Sequence, residues 1–197
     1  MPSVLLLVLA TTTVLSQPVG STPRPYCDLA RETPLDMPIE DFENGPEGWR
    51  VWGEGGCDSE AADLIASYRA RWPDLDPGRD VILRWHEAQL RAMVGDDQAL
   101  PLIESILGKA ASPATELYHQ ATLHFLRNDR QAFQATRDKL AALPEPPQFA
   151  RARAAFSEKY GQPGPVWPLN LDVVDSLAAC FGLPYRQAYS CTKDAQP

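Results

Sequence analysis

The sequence predicts an all-α chain: a short array of antiparallel helix pairs with proline-rich irregular flanks and disulfide ties. Three observations predict it. Six prolines fall between Gln17 and Pro46 and six between Pro144 and Pro168, leaving only Pro101 and Pro113 between Arg79 and Leu143. Proline lacks a backbone donor and resists helix interiors, so the regular helices belong in that central region. Apolar residues there recur at helical spacing, and no stretch alternates with a period of two. The same region also matches itself at a shift of 33 residues.

The ends have a different composition. Residues 4–15 are uncharged and largely apolar and lead to Ser16, so residues 1–16 read as a secretory signal peptide cleaved before Gln17. Twelve such residues span about 18 Å as a helix, short of the roughly 30 Å of a bilayer core. Residues 17–46 read as a proline-rich irregular lead, 47–182 as the helical domain and 183–197 as a disulfide-tied tail. Beyond the signal stand four cysteines, Cys27, Cys57, Cys180 and Cys191, an even number that in an exported chain implies two disulfides. Of the three possible pairings, Cys27 with Cys57 and Cys180 with Cys191 is favoured, since each joins a helix boundary to an irregular flank. A secreted or periplasmic location follows.

Net charge is −8, which argues against nucleic acid and anionic membrane as partners, because both demand concentrated Lys and Arg. The cysteines lack Cys-x-x-Cys spacing and the histidines are remote from them, so neither metal nor cofactor is expected.

Helix signals then fall in order. Asp58 or Ser59 opens a helix that Pro73 stops, with Glu60 and Asp63 near its positive end. Residues 80–94 form the next, with Arg84, Glu87 and Arg91 as its polar stripe and Gly95 as its left-handed cap. Asp96 or Asp97 caps a third, strained at its start by Pro101 and closed by Gly108. Ser112 and Pro113 open a fourth, and a fifth begins near Asp129 and stops before Pro144. Further helices are predicted over 148–160 and 170–181, and Trp49 and Trp52 should share one face of a short helix.

At the 33-residue shift, residues 85–107 align with 118–140 with seven identities in 23 positions. His86 meets His119, Ala88 meets Ala121, Leu90 meets Leu123, Asp96 meets Asp129, Gln98 meets Gln131, Ala99 meets Ala132 and Leu107 meets Leu140. An aromatic opens each copy (Trp85, Tyr118), and Gly95 faces Asn128 at the turn. With alanines where helices cross and Pro144 closing the second copy, this pattern resembles the tetratricopeptide repeat family. Gln89 and Thr122 stand where that family prefers a small residue, and Pro101 intrudes. A degenerate earlier copy would place Asp63 and Ala66 in the positions of Asp96 and Ala99. The resemblance implies a concave surface holding a protein or peptide, lined by the first helix of each pair, with His86, Gln89, His119 and Thr122 as its candidate contacts.

Other chemistry is thinly represented. His86-Glu87 lacks the second histidine of a zinc-protease motif, since position 90 is Leu, and neither a Gly-x-Ser-x-Gly elbow nor a phosphate-binding glycine loop occurs. The glycines of residues 53–56 read as a flexible turn, and Glu40, Asp41 and Glu43 as a solvated acidic segment. Trp49 and Trp52 could alternatively form an exposed carbohydrate platform. The functional expectation is a non-enzymatic interaction module, with a small exported hydrolase of scattered catalytic residues as the rival.

Overall fold

The computed structural model describes residues 25–33 and 35–191; the expected signal peptide lies outside them. Every regular element among the described residues is helical. In order these are α1 (Pro25–Asp28), a 3-10 turn (Leu29–Glu32), α2 (Ile39–Asn44), α3 (Arg50–Glu54), α4 (Asp58–Arg71) and α5 (Pro77–Met93). There follow α6 (Ala99–Ile106), α7 (Pro113–Leu126), α8 (Arg130–Ala141), α9 (Pro147–Tyr160), α10 (Leu171–Ala179) and α11 (Tyr185–Tyr189). No described helix is long and apolar enough to cross a membrane.

Local chemistry fixes the central boundaries. Asp76 accepts hydrogen bonds from the N–H groups of Gly78 and Arg79 with Pro77 in the first turn, so α5 starts three residues before the expected Asp80. Ser112 accepts from Thr115 N at the head of α7, and Asp129 accepts from Ala132 N at the head of α8. Gly95 and Asn128, which face each other in the repeat, both adopt the left-handed region, at φ +73° and +56°. Each is followed by an aspartate whose N–H donates to the carbonyl five residues earlier, Asp96 to Arg91 and Asp129 to His124; the Asp129 side chain caps α8 by accepting from Ala132 N, and that of Asp96 accepts from Gln98 N ahead of α6. Two copies of one sequence pattern thus make the same turn. Pro101 is accommodated in the first turn of α6, where its missing donor leaves nothing unbonded.

Packing follows chain order for most of the molecule: α4 against α5, α5 against α6, α6 against α7, and α7 against α8. The chain then returns, with α10 covering α7 and α8 and α11 reaching α5. Two apolar clusters result. One joins Phe42, Trp49, Ile65 and Tyr68 to Leu83 and Leu90 of α5. The other unites Ile103, Ile106, Tyr118, Phe133, Leu140 and Leu177 across α6, α7, α8 and α10. Each such fully buried aliphatic or aromatic side chain is worth about 1.5–3 kcal/mol of transfer free energy. α9 contributes no buried residue.

Several expectations are corrected here. The stretch aligned as an earlier repeat copy is one uninterrupted helix, α4, with Asp63 in its interior instead of a turn, because no glycine or proline breaks it. The polar stripe of α5 packs against α4. Glu87 is only 3% exposed and bonds both Arg69 Nη1 (2.7 Å) of α4 and Arg91 Nε (3.0 Å), while Arg91 also reaches Asp96 (3.0 Å) and Asp63 (3.2 Å). Residues 17–46 carry α1, the 3-10 turn and α2, and the tail carries α11, so neither flank is wholly irregular. Gly53 and Glu54 belong to α3 and not to a flexible turn.

Both disulfides take the favoured pairing. Cys27–Cys57 ties α1 to the head of α4, with Cα atoms 5.4 Å apart, and Cys180–Cys191 ties the end of α10 to the end of α11, at 6.2 Å. No free cysteine remains among the described residues. Two closed disulfides and no thiol point to an oxidising compartment.

Candidate ligand-binding cleft

The stripe of α5 that faces away from Glu87 carries Ile82, Trp85, His86, Gln89 and Met93, spaced three and four residues apart and hence on one side of the helix. Thr115, Tyr118 and His119 form the equivalent stripe of α7. These two stripes, with Trp49 and Gly53 around α3, residues 109–111 of the α6–α7 link and Tyr189 of α11, enclose a cleft of about 860 Å³. Gly53 allows α3 to approach closely, since a Cβ there would come within 3.2 Å of Leu90 Cδ2.

At one edge stands Glu43 of α2, 5% exposed, whose carboxylate accepts from Trp49 Nε1 (3.0 Å) and pairs with Arg50. His86 Nδ1 lies 2.9 Å from Glu43 Oε1 without the alignment of a regular hydrogen bond, so that contact is chiefly electrostatic. Burial alone would raise the Glu43 pKa. His86, the Trp49 N–H and Arg50 outweigh it and hold the carboxyl below its ordinary value. Of the acidic segment read as solvated, Glu43 alone is buried, bound across to α5, while Glu40 and Asp41 are exposed and Glu40 pairs with Arg79.

The floor is different in character. His119 is 2% exposed, its ring centred 4.1 Å from that of Trp85, and its Nδ1 has no hydrogen-bond partner. Burial lowers its pKa to about 4, against the pull of Glu116 in the opposite direction, so the ring is neutral at pH 7. Gln89 Nε2 donates to Tyr118 Oη at 2.9 Å. Behind this pair Thr122 Oγ1 and Tyr185 Oη are buried facing one another without the alignment of a regular hydrogen bond, and burial pushes the Tyr118 and Tyr185 hydroxyls well above the ordinary phenol pKa. All these groups are uncharged at neutral pH.

Three of the four residues singled out from the repeat, His86, Gln89 and His119, meet on this one surface. Thr122 does not. It is fully buried, because α11 closes over its position and sets Tyr185 against it. Trp49 and Trp52 pack into the first core cluster, as expected of one face of a short helix, and do not form the alternative exposed platform: Trp49 is buried, and Trp52 is half-buried and donates to Thr33 Oγ1 at 3.0 Å. Sequence reasoning missed Glu43 and Tyr189. Neither position shows any periodic signal, and only the cysteine pairings indicated that the two flanks fold back onto the helices.

Compared with known proteins, the chain matches no family model, no curated protein and no solved structure. The tetratricopeptide resemblance accordingly rests on the internal repeat.

Proposed function

We propose that the chain is an exported, non-enzymatic binding module that holds a peptide, or a segment of a partner protein, in the cleft between α3, α5 and α7. One observation carries this reading. His86 and His119 occupy the same position of the two repeat copies, and together with Gln89 and the aromatics Trp85 and Tyr118 they face one roomy cleft of about 860 Å³. A concave surface lined by the first helix of successive pairs is what a tetratricopeptide-like array uses for recognition, and the repeated αL-Asp turns at residues 95–96 and 128–129 support that reading of the fold. Its mix of aromatic wall and few polar groups is typical of ligand sites. Two disulfides, with the apolar stretch at residues 4–15 as a signal peptide, support export.

The test is a peptide-display selection against the purified chain, followed by rebinding of the selected peptides to Ile82→Glu. Ile82 is 40% exposed on the cleft wall, so a charge there should change stability by no more than about 0.5 kcal/mol. Loss of at least tenfold in affinity with an unchanged melting temperature is the expected result. Equal binding by the variant contradicts the cleft as the site, and turnover of ester, peptide or glycoside substrates contradicts the non-enzymatic reading.

A further inference from the structure

Charges line the mouth of the cleft, but nearly all are already satisfied within the chain. Arg50 is paired with Glu43, Arg79 with Glu40 and Asp58 with Arg186, while Asp76 is engaged by the N-terminus of α5. Lys109 donates to the Ser105 carbonyl, and it, Glu54 and Asp76 are the cleft charges without an ion pair among the described residues; with Arg50, Arg79 and Asp58 the lining carries three cations and three anions. No net field is left over to attract either sign of ligand.

Deeper in, polar capacity is left over. His119 is almost wholly buried, lines the cleft and lacks a partner at Nδ1, while the hydroxyl of Tyr118 accepts from the Gln89 amide and lies against the hydroxyls of Tyr185 and Tyr189. Tyr189 adds a further hydroxyl beside them. Neutral imidazole, amide and phenol each donate and accept hydrogen bonds. Their frame is apolar, formed by Trp85, Ile82 and Met93. A carboxylate, which only accepts, or an ammonium, which only donates, would be desolvated there without a counter-charge. A neutral group able to do both would satisfy the floor, and buried groups left unpaired are what make such sites discriminate.

Resting on the peptide-holding role above, we infer that the cleft recognises an uncharged side chain that both donates and accepts hydrogen bonds, a peptide amide of Gln or Asn type, seated over His119 between Gln89, Tyr118 and Tyr189. Specificity in this account comes from the floor, and the apolar wall supplies contact area.

The experiment uses N-acetylated, C-amidated Ala-X-Ala peptides with X as Gln, Leu, Glu or Lys, titrated into the full chain while NMR follows the Trp85 indole and the Gln89 amide. The Gln peptide should bind at least tenfold more tightly than the Glu and Lys peptides and severalfold more tightly than the Leu peptide. In Gln89→Leu the advantage of Gln over Leu should vanish, and His119→Phe, which retains a ring against Trp85, should reduce it. If the peptides move these signals but Leu, Glu or Lys equals Gln, the inference falls and the cleft remains a peptide site. If no peptide moves them at millimolar concentration, the peptide-holding role falls too. Cellobiose moving the same signals at lower concentration than the Gln peptide would overturn the peptide assignment.

Discussion

The buried His119 makes the stability of this fold depend on pH in a way that can be worked out. Its folded pKa is about 4 and its ordinary value 6.5, so between those values the unfolded chain binds a proton that the native chain refuses. Stability is then fully present above about pH 6.5, and falls as pH drops, by at most about 1.4 kcal/mol per unit. The whole window amounts to about 3 kcal/mol, and the loss is complete near pH 4. Glu43, Asp80 and Asp96 have depressed values, so their contributions are retained until the pH falls below the ordinary carboxylate range of 3.8–4.5. Urea unfolding followed by tryptophan fluorescence at pH 7, 6, 5 and 4 measures the decline. The same series on His119→Phe, which cannot bind the proton, should show a decline shallower by about 3 kcal/mol in total. An NMR midpoint for His119 near 6.5, or an identical decline in the variant, would refute the burial argument.

Other perturbations have equally definite outcomes. Glu87→Ala removes the buried carboxylate shared by Arg69 and Arg91, which keep Asp80 and Asp96 as partners, and should cost about 1.5–3 kcal/mol in urea unfolding, several times the effect of breaking the exposed pair Arg127–Glu104. Phe133→Ala, which empties a fully buried aromatic position between α7 and α8, should cost about 3–5 kcal/mol. Replacing Cys27 and Cys57 by alanine opens a bridge between residues 30 apart and should cost about 3–4 kcal/mol by the chain-entropy relation, more than opening the 11-residue separation of Cys180 and Cys191.

What the sequence revealed was local. Gly95, Gly108, the Ser112-Pro113 pair and Asp129 mark helix ends because turn and cap chemistry involves neighbours a few residues apart. The repeat alignment likewise placed His86 and His119 on a common face, since helical period and repeat period together fix orientation. What stayed hidden depends on partners distant in the chain. Nothing near Glu43 announces that it will meet His86 on α5, and nothing near Asp58 announces Arg186 at the other end of the chain. Glu87 and Arg91 read only as a polar stripe for the same reason: their partners Arg69 and Asp63 lie on α4, which hydrophobic periodicity cannot register. Thr122 shows the limit of repeat logic, because α11 closes over its position while the corresponding Gln89 stays on the cleft.

Chemical-shift mapping of a display-selected peptide on the full chain tests the cleft most directly. Perturbations should concentrate on Ile82, Trp85, His86, Gln89 and Tyr118, and be lost together in Ile82→Glu. Perturbations centred instead on the exposed Phe156 and Tyr160 of α9, or spread without focus, would contradict the assignment of recognition to the first helices of the pairs.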